Sequence, residues 1–246
     1  MIQLSVNVNK IATLRNSRGG AVPSVLDAAT VCVGAGAPGI TVHPRADARH
    51  ITPSDVRELA AWLKRLGGPA EYNIEGDPRP DLLALVHEVT PTQCTLVPVR
   101  PGEVTSQAGW LPGTPSAVVA GAIRDLRAGG VRVSLFVEPD EDAIRWAADM
   151  GADRVELYTE PFARAFDRGE TAARESFERY TRAARLAHAQ GLGVNAGHDL
   201  DLDNLVMFRH LPHLDEVSIG HALVSQALFV GLAASVHAYL DVLAGT

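Results

Sequence analysis

Cysteine is scarce in this chain, and neither of its two cysteines belongs to a metal-binding pattern. Cys32 lies among small residues and Cys94 lies in an apolar segment, without the close pairing of cysteines that zinc sites use. This usage excludes a compact cysteine metal centre. We therefore predict two buried thiols in a reducing compartment.

Basic residues are outnumbered, because 22 Lys and Arg residues stand against 29 Asp and Glu residues, for a formal net charge of −7. A broad nucleic-acid-binding surface needs an excess of Lys and Arg on one face. The charge balance therefore argues against a nucleic-acid partner, although local basic clusters are compatible with it. Hydrophobic residues make up 46% of the chain, which excludes general disorder.

One long stretch, Val217–Leu240, contains no Asp, Glu, Lys or Arg and has the length of a membrane span. It includes Ser218, Gln226 and two histidines, so we predict a buried terminal helix at a subunit contact instead. The chain opens without the charged and apolar regions of a secretory leader. These features predict a cytoplasmic protein without a membrane partner.

Short β-rich runs alternate with helical periods along the chain, which is typical of parallel βαβ units. Eight such units in 246 residues match the usual size of one (β/α)8 barrel. We therefore predict an α/β fold, a single TIM barrel domain over residues 1–246. The predicted strands are Leu4–Val8, Gly39–Val42, Glu71–Ile74, Gln93–Val97, Arg132–Val137, Arg154–Leu157, Gly193–Asn195 and Glu216–Ile219. The predicted helices are Pro23–Ala35, Pro53–Leu66, Pro80–Val89, Pro115–Ala128, Glu141–Met150, Ala172–Gln190, Asp203–Arg209 and Ala222–Leu243.

Three connections exceed a minimal turn and are predicted to be extended loops at the carboxyl ends of the strands: Asn9–Val22, Pro98–Thr114 and Tyr158–Thr171. The second predicted helix has a clear start signal, because Thr52 can cap it and Asp55 completes a capping box. Long loops on this face of a barrel are candidate lids over an active site.

Four predicted strands end with an apolar run, an ionisable residue and a turn signal. The ionisable residues are His43, Glu75, His198 and His221. Since the carboxyl ends of barrel strands form the active-site mouth, these side chains are predicted to converge on one pocket. A carboxyl group at the end of a buried strand has a raised pKa, which suits Glu75 for general-base catalysis. A structural ion pair with Arg or Lys is the alternative for this residue.

Two basic groups at the same barrel face predict anion binding. Residues 7–20 combine amide side chains with one Lys, two Arg and glycines, and Arg45 and His50 follow the second strand. Gly197 and Gly220 allow backbone N–H groups to approach an anion after strands seven and eight, where barrels commonly bind phosphate. Two such sites predict two phosphorylated substrates or one bisphosphate.

Glu156 falls inside the sixth predicted strand, and two interpretations stay open for it. It either supports catalysis or forms a salt bridge in the barrel interior. Five further histidines fall on predicted helices or the opposite face, and surface or packing roles are predicted for them. They are His87, His188, His210, His213 and His237.

With these residues in view, the whole chain resembles the pyridoxine 5′-phosphate synthase family. Each motif is weak alone, but the set is highly specific. The segments that carry the resemblance are Ala12-Thr13-Leu14-Arg15-Asn16-Ser17-Arg18-Gly19, Gly39-Ile40-Thr41-Val42-His43-Pro44-Arg45, Arg49-His50-Ile51-Thr52, Asn73-Ile74-Glu75, Leu96-Val97-Pro98 with Glu103-Val104-Thr105, Asn195-Ala196-Gly197-His198 and Ile219-Gly220-His221-Ala222.

The resemblance implies condensation of 3-amino-2-oxopropyl phosphate with 1-deoxy-D-xylulose 5-phosphate to give pyridoxine 5′-phosphate, phosphate and water. It implies no metal or redox cofactor, and it implies a homo-octamer. His43 and Glu75 match the family's proton acceptors, and His198 matches its proton donor. The positions that hold the aminoketone phosphate correspond to Asn7, Arg18, Gly220 and His221. Those that hold the deoxyxylulose phosphate correspond to Arg45, His50 and Thr105.

The chain departs from the family pattern at two places. Asn9-Lys10 stands where many members have Asp-His. Asp199 directly follows His198, at a position where the family pattern has a glycine. Lys10 can donate to a hydroxyl or phosphate, but it is a weaker base than histidine at neutral pH unless it is desolvated. Asp199 keeps its backbone N–H but adds negative charge beside a phosphate site. We expect Asn9, Lys10 and Asp199 to contact substrate.

Two other functions stay open. A metal-dependent barrel isomerase or hydrolase is one, because His and Glu at strand ends also bind Zn²⁺ or Mn²⁺, although no His-x-His pair follows the first strand. A non-catalytic phosphosugar-binding protein with Lys10 in place of a useful histidine is the other. Metal analysis separates the first from the synthase, and an assay with both substrates separates the second.

Overall fold

The computed structural model describes residues 1–99, 108–114 and 116–246, in which eight parallel strands pair in chain order and close into a barrel. The last strand pairs with the first, so the sheet has no free edge. The predicted (β/α)8 fold is confirmed. The strands are β1 Gln3–Asn7, β2 Gly39–Val42, β3 Glu71–Gly76, β4 Gln93–Leu96, β5 Arg132–Val137, β6 Arg154–Tyr158, β7 Gly193–Gly197 and β8 Leu214–Ile219.

Helices follow the strands and pack around the barrel. In the described part of the chain they are α1 Asn9–Asn16, α2 Val25–Gly34, α3 Pro53–Leu66, α4 Pro80–Val89, α5 Ser116–Ala128, α6 Glu141–Asp149, α7 Glu160–Asp167, α8 Glu170–Ala189, α9 Leu202–Phe208, α10 His221–Val230 and α11 Leu232–Ala244. The capping box of α3 forms as predicted, since Thr52 Oγ1 accepts from the backbone N–H of Asp55 and the Asp55 carboxylate accepts from that of Thr52.

Two helices lie inside segments that were predicted to be loops. α1 occupies much of Asn9–Val22, and α7 occupies much of Tyr158–Thr171. α7 is stabilised by Pro161 in its first turn and by Phe162, whose ring packs 5.0 Å from that of Phe208. A tertiary contact between distant segments, which local patterns do not reveal, supports this helix.

The predicted final helix Ala222–Leu243 is wrong in one respect, because it is divided into α10 and α11. The division occurs at Gly231, whose φ of +87° ends α10 in a conformation that other residues rarely adopt. No described helix is both long and apolar enough to cross a membrane. The predicted loop Pro98–Thr114 lies partly outside the described residues.

The apolar core lies between the strands and the helices. Val6, Ile40 and Ile74 from the first three strands are fully buried, as are Val56 and Leu59 from α3. Both cysteines are buried and unpaired, as predicted. Burial of this layer on the outer face of the sheet provides the main hydrophobic stabilisation of the fold.

The interior of the barrel, in contrast, contains mainly polar side chains. Asn195 Nδ2 on β7 donates to Gln93 Oε1 on β4 at 3.3 Å, and Ser218 Oγ on β8 lies 3.5 Å from Glu75 Oε1 on β3. These strands are not neighbours, so both contacts run through the lumen. Barrel interiors are more often filled with Val, Ile and Leu. Buried polar residues on the strands include Ser5, Thr41, Asn73, Gln93, Thr95, Ser134, Glu156, Asn195, Glu216 and Ser218.

Two arginines hold polar groups at the amino-terminal end of the lumen. Arg132 Nε donates to Gln93 Oε1 at 2.9 Å, and Arg154 Nη1 donates to Asn195 Oδ1 at 2.8 Å. Glu216 is buried nearby. Burial, reinforced by the charge of Glu71 and opposed by the two arginines, raises the pKa of Glu216 to about 7.

We predict that Glu216→Gln stabilises the protein at alkaline pH relative to the wild type. In the unfolded chain the pKa of Glu216 is about 4.3. Because the folded value is about 7, protonated Glu216 stabilises the wild type at low pH, and this stability is lost as pH rises from the unfolded value through the folded value. Glutamine does not ionise. We expect the variant to gain about 2 kcal/mol in free energy of unfolding between pH 5 and pH 8.5, measured by urea denaturation.

The exposed Glu88, which pairs with Arg57 on the surface, provides a control for this measurement. Glu88→Gln should show no such gain as pH rises. A Glu216→Gln difference that does not change with pH would contradict the raised pKa.

Candidate active site

A cavity of about 290 Å³ lies at the carboxyl ends of the strands. The four strand-end residues predicted to converge do so around this cavity. In all, twelve of the predicted site residues line it. They are Asn7, Asn9, Lys10, His43, Arg45, His50, Glu75, Glu156, His198, Asp199, Gly220 and His221.

Two predicted site residues are not among the cavity lining. Arg18 is exposed in the turn after α1, so the structure does not bring it together with the others. Thr105 lies outside the described residues. The substrate contacts of both remain predictions.

His43 and Glu75 form a buried pair, with His43 Nδ1 lying 3.7 Å from Glu75 Oε2. Burial raises the pKa of Glu75 to about 8, and the nearby Glu216 carboxyl adds to the rise. Burial also lowers the pKa of His43 well below 6.5, with His50 and Arg45 contributing. Both directions favour a neutral carboxyl beside a neutral imidazole. The rise predicted for Glu75 is confirmed.

The amide side chains of β1 and α1 hold this pair in place. Asn7 Nδ2 donates to Glu75 Oε2 at 3.4 Å, and Asn9 Oδ1 accepts from the backbone N–H of His43 at 2.9 Å. His43 Nε2 has no hydrogen-bond partner among the described atoms, and its residue lines the cavity. That nitrogen is buried, and a buried ring nitrogen without a partner marks a candidate for proton exchange with a substrate.

The carboxyl group of Glu156 lies in the cavity wall. A Cβ at Gly197 would collide with Glu156 Oε1, so the glycine leaves the room that this carboxyl occupies. Burial, with the charges of Glu75 and Glu216, raises the pKa of Glu156 well above its ordinary value. Within the described residues no Lys or Arg lies within 4.0 Å of it. The interior salt bridge is therefore not observed in the described part of the chain, and support of catalysis by Glu156 stays a prediction.

His198 and Asp199 follow β7 in a left-handed backbone conformation, with φ values of +83° and +58°. Such values are uncommon outside glycine and are concentrated at functional sites. Thr159 Oγ1 donates to the His198 carbonyl, and Asn204 Nδ2 donates to the Asp199 carbonyl at 3.0 Å. The His198 ring lies 4.8 Å from that of Phe136, and burial lowers its pKa to about 4. The imidazole is thus neutral at pH 7.

The amino terminus of α10 forms one wall. Gly220 precedes the helix and His221 begins it. A Cβ at Gly220 would lie 3.0 Å from the carbonyl oxygen of Asn7, so glycine permits the close approach of β8 and β1. The first N–H groups of a helix attract anions, because they have no partner within the helix.

Positive charge comes from Lys10 and Arg45, which line the cavity together with His50. Burial lowers the pKa of His50 to about 4, and the charges of Arg45 and Lys10 add to this effect. The site therefore combines a helix terminus with a separate cationic wall. This arrangement suits anionic groups beside a buried acid–base pair.

The structure also shows residues that the sequence analysis missed or misjudged. Ser218 lines the cavity, and its alternation with Glu216 and Gly220 on one face of β8 is a signal that could have identified it. Arg15 does not contribute to an anion site, because its guanidinium pairs with Asp55, Nη2 lying 2.9 Å from Oδ2. Among the described residues, no group of three or more His, Cys, Asp or Glu is arranged to hold a metal ion.

Comparison with known proteins gives a consistent result along the whole chain. The family model of the pyridoxal phosphate biosynthesis protein PdxJ matches residues 4–245. A pyridoxine 5′-phosphate synthase of Leptospira biflexa is 51% identical over 253 residues, covering 99% of this chain and 97% of that protein. The synthase of Porphyromonas gingivalis is 50% identical over 245 residues, covering 99% of this chain and 100% of that protein.

Among solved structures, phosphoribosyl anthranilate isomerase from Thermotoga maritima shares the fold with a TM-score of 0.62. The alignment covers 100% of both chains at 12% sequence identity. At this identity the likeness concerns the barrel architecture alone.

Proposed function

The chain belongs to the family of the pyridoxal phosphate biosynthesis protein PdxJ and is an enzyme of vitamin B6 biosynthesis, and we propose that its cavity performs the ring closure itself. The two substrates are 3-amino-2-oxopropyl phosphate and 1-deoxy-D-xylulose 5-phosphate, and the products are pyridoxine 5′-phosphate, phosphate and water. The observation that carries the proposal is the buried His43–Glu75 pair, which lines the same cavity as the amino terminus of α10 and the cationic residues Lys10 and Arg45.

The two phosphate groups are assigned to the two ends of the cavity. The aminoketone phosphate binds at Asn7 and at Gly220 and His221, where α10 begins, with Arg18 closing on it. The deoxyxylulose phosphate binds at the cationic wall, where the ligands are Lys10, Arg45, His50 and Thr105. Asn9 and Asp199 contact the substrates between these ends.

Each chemical step moves a proton. The substrate amine attacks the ketone of the sugar to form an imine with loss of water, and phosphate is then eliminated. The carbon–carbon bond that closes the ring forms at the carbonyl carbon of the aminoketone, whose oxygen leaves as the second net water to give the aromatic ring. His43 and Glu75 accept protons from the reacting carbons and oxygens, His198 donates them, and Glu156 supports the charge that develops. A bound phosphate dianion stabilises the imidazolium form of His198, which supplies the proton that the ligand-free imidazole lacks.

This sequence of steps requires no redox cofactor, because the product differs from the two substrates only by loss of phosphate and water. We propose that proton transfers by His43, Glu75 and His198 serve in place of a metal ion. We therefore expect the rate to be unchanged by a chelator. A rate that falls with chelator and returns with Zn²⁺ or Mn²⁺ would favour the metal-dependent alternative. Binding of both substrates without product would favour a phosphosugar-binding protein.

We also propose a homo-octamer in the cytoplasm. Leu228, Phe229 and Val230 form an apolar patch at the end of α10, where the Phe229 side chain is 90% exposed. Contiguous exposed apolar residues mark association surfaces. The two buried, unpaired cysteines are compatible with a reducing compartment.

We predict that the purified protein is an oligomer in light scattering and that Phe229→Ser weakens the assembly, because the substitution removes apolar area from the patch. Val206→Ser, at an exposed apolar residue on α9, is the control and should leave the assembly intact. A wild-type monomer whose mass does not change with concentration would contradict the proposal.

We predict that Glu75→Gln abolishes turnover but leaves phosphate binding largely intact, because the amide keeps the shape of the side chain and cannot accept a proton. In the wild type, kcat/KM should rise with pH up to about 8, since the carboxyl must ionise to act as a base and its pKa is raised to about 8. Steady-state assays of product formation test both statements.

Glu88→Gln, on the exposed surface of α4, is the control for this experiment and should be fully active. Turnover like that of the wild type in Glu75→Gln would remove Glu75 from the mechanism.

We predict that Lys10→Ala raises KM for 1-deoxy-D-xylulose 5-phosphate with little effect on kcat, because the ammonium lies at the cationic wall and binds the phosphorylated substrate. Added salt should reproduce part of the effect in the wild type by screening the charge. An unchanged KM with kcat lower by about a hundredfold, the scale of lost acid–base catalysis, would make Lys10 a proton-transfer residue instead.

A further inference from the structure

The loop between β2 and α3 carries two residues of the cationic wall, Arg45 and His50, although it contains no regular secondary structure. A phosphate site needs fixed donors, since a mobile donor loses conformational entropy on binding. The carboxyl-terminal end of α1 provides contacts that fix this loop. They come from Arg15 and Asn16, neither of which lines the cavity.

The guanidinium of Arg15 joins three segments. It forms a two-pronged pair with the carboxylate of Asp55, in the first turn of α3, and its Nη2 donates to the carbonyl of His50 at 3.3 Å. Its Nε donates to Asn16 Oδ1 at 2.9 Å. The side chains of Arg15 and Asp55 are only 13% and 8% exposed, so solvent screens this pair less than a surface pair. A lysine cannot make these contacts together, because it lacks the planar set of donors.

Asn16 completes the arrangement around the same carbonyl. Its Nδ2 donates to the His50 carbonyl oxygen at 2.8 Å. Because Arg15 Nε already donates to Asn16 Oδ1, the amide can only present its NH₂ group to His50. Two donors therefore hold one carbonyl.

The consequence for the His50 ring follows from the planarity of the peptide bond. In the unit that joins His50 to Ile51, the N–H points away from the carbonyl, so holding the carbonyl also directs the N–H. That N–H donates to His50 Nδ1 at 2.9 Å. A ring nitrogen that accepts from an N–H carries no proton, so the neutral imidazole has its proton on Nε2.

The charges around His50 keep the ring neutral. Burial and the cationic Arg45, Lys10 and Arg49 lower its pKa, while Asp47 opposes them. The ring of His43, which is itself neutral, lies 6.1 Å away. A single ring N–H, on Nε2, is therefore left to donate to a molecule in the cavity that His50 lines.

We propose that Arg15 and Asn16 are positioning residues that clamp the His50 carbonyl and thereby hold its imidazole as a neutral Nε2–H donor to the phosphate of the second substrate. The identity of that substrate, 1-deoxy-D-xylulose 5-phosphate, rests on the proposed function. The clamp itself rests on the contacts of Arg15, Asn16 and Ile51.

The test uses two variants of the full chain and one control. Arg15→Lys removes the three-way contact, whereas Asn16→Ala removes one donor to the carbonyl and leaves the Arg15–Asp55 pair in place, so that it retains the fold. The control is Arg57→Lys, because Arg57 also pairs with a carboxylate through two nitrogens, Nε and Nη2 lying 2.7 and 2.8 Å from the oxygens of Glu88, but on the exposed surface of α3.

The first measurement is ¹⁵N NMR of the histidine rings in the ligand-free protein, with His50 assigned by comparison with His50→Gln. The wild type and Arg57→Lys should show a neutral Nε2–H ring at pH 7. Both clamp variants should show exchange between tautomers. This result does not depend on catalysis.

The second measurement is steady-state kinetics with each substrate varied in turn. In both clamp variants KM for 1-deoxy-D-xylulose 5-phosphate should rise about tenfold, as expected when one well-aligned donor is lost. KM for 3-amino-2-oxopropyl phosphate and kcat should stay within about twofold of the wild type. Arg57→Lys should match the wild type in all three constants.

The clamp is refuted if the variants lower only the melting temperature while the His50 spectrum and both KM values stay as in the wild type, since that outcome describes a purely structural role. If the wild type forms no product, the proposed function fails, and titration of His50 with inorganic phosphate replaces the kinetics. A weaker phosphate response in both variants than in Arg57→Lys then supports the clamp, and an equal response overturns it.

Discussion

The need to satisfy buried polar groups inside the barrel is the constraint on which the rest of this structure depends. Polar side chains fill a lumen that other barrels fill with branched apolar residues. They bond to one another across the barrel, as Asn195 and Gln93 do, or between neighbouring strands, as Ser5 and Thr41 do. The same burial raises the pKa of Glu75, Glu156 and Glu216, so that they influence one another through a medium of low polarity. The cavity is therefore the upper end of a polar core, and the pKa of Glu75 at its wall depends on Glu216, which lies below it.

α1 links this core to the loops that surround it. Its first residues reach the buried pair through Asn9, and its last residues hold the loop that carries His50. One short helix thus contacts both the buried His43–Glu75 pair and the loop that carries His50. Precision at such a site comes from contacts behind the residues that meet the substrate.

The sequence allowed the fold and the location of the site to be predicted because both depend on local signals. Alternating runs indicated eight parallel units, and a polar residue after an apolar strand indicated the mouth, as His43 and Glu75 show. The capping box of α3 was predictable for the same reason, since Thr52 and Asp55 are three residues apart.

Features that depend on distant contacts could not be predicted in this way. The partner of Arg15 is Asp55, which lies in another helix, so the sequence indicated an anion site where the structure has an ion pair. α7 forms against Phe208, which comes much later in the chain. The pKa of Glu75 depends on Glu216, whose place in the lumen becomes clear only once the strand register is known.

Closure of the barrel by β1 and β8 also determines when the chain can fold during its synthesis. β1 ends at Asn7 and its partner β8 begins at Leu214. One edge of the first strand therefore stays unpaired until nearly the whole chain has left the ribosome. Unpaired edges with apolar faces attract other chains. In this barrel the inner face of the unfinished sheet is polar and is well solvated by water. The polar lumen therefore leaves only the outer, apolar face of the open sheet for the helices to cover while the barrel is incomplete.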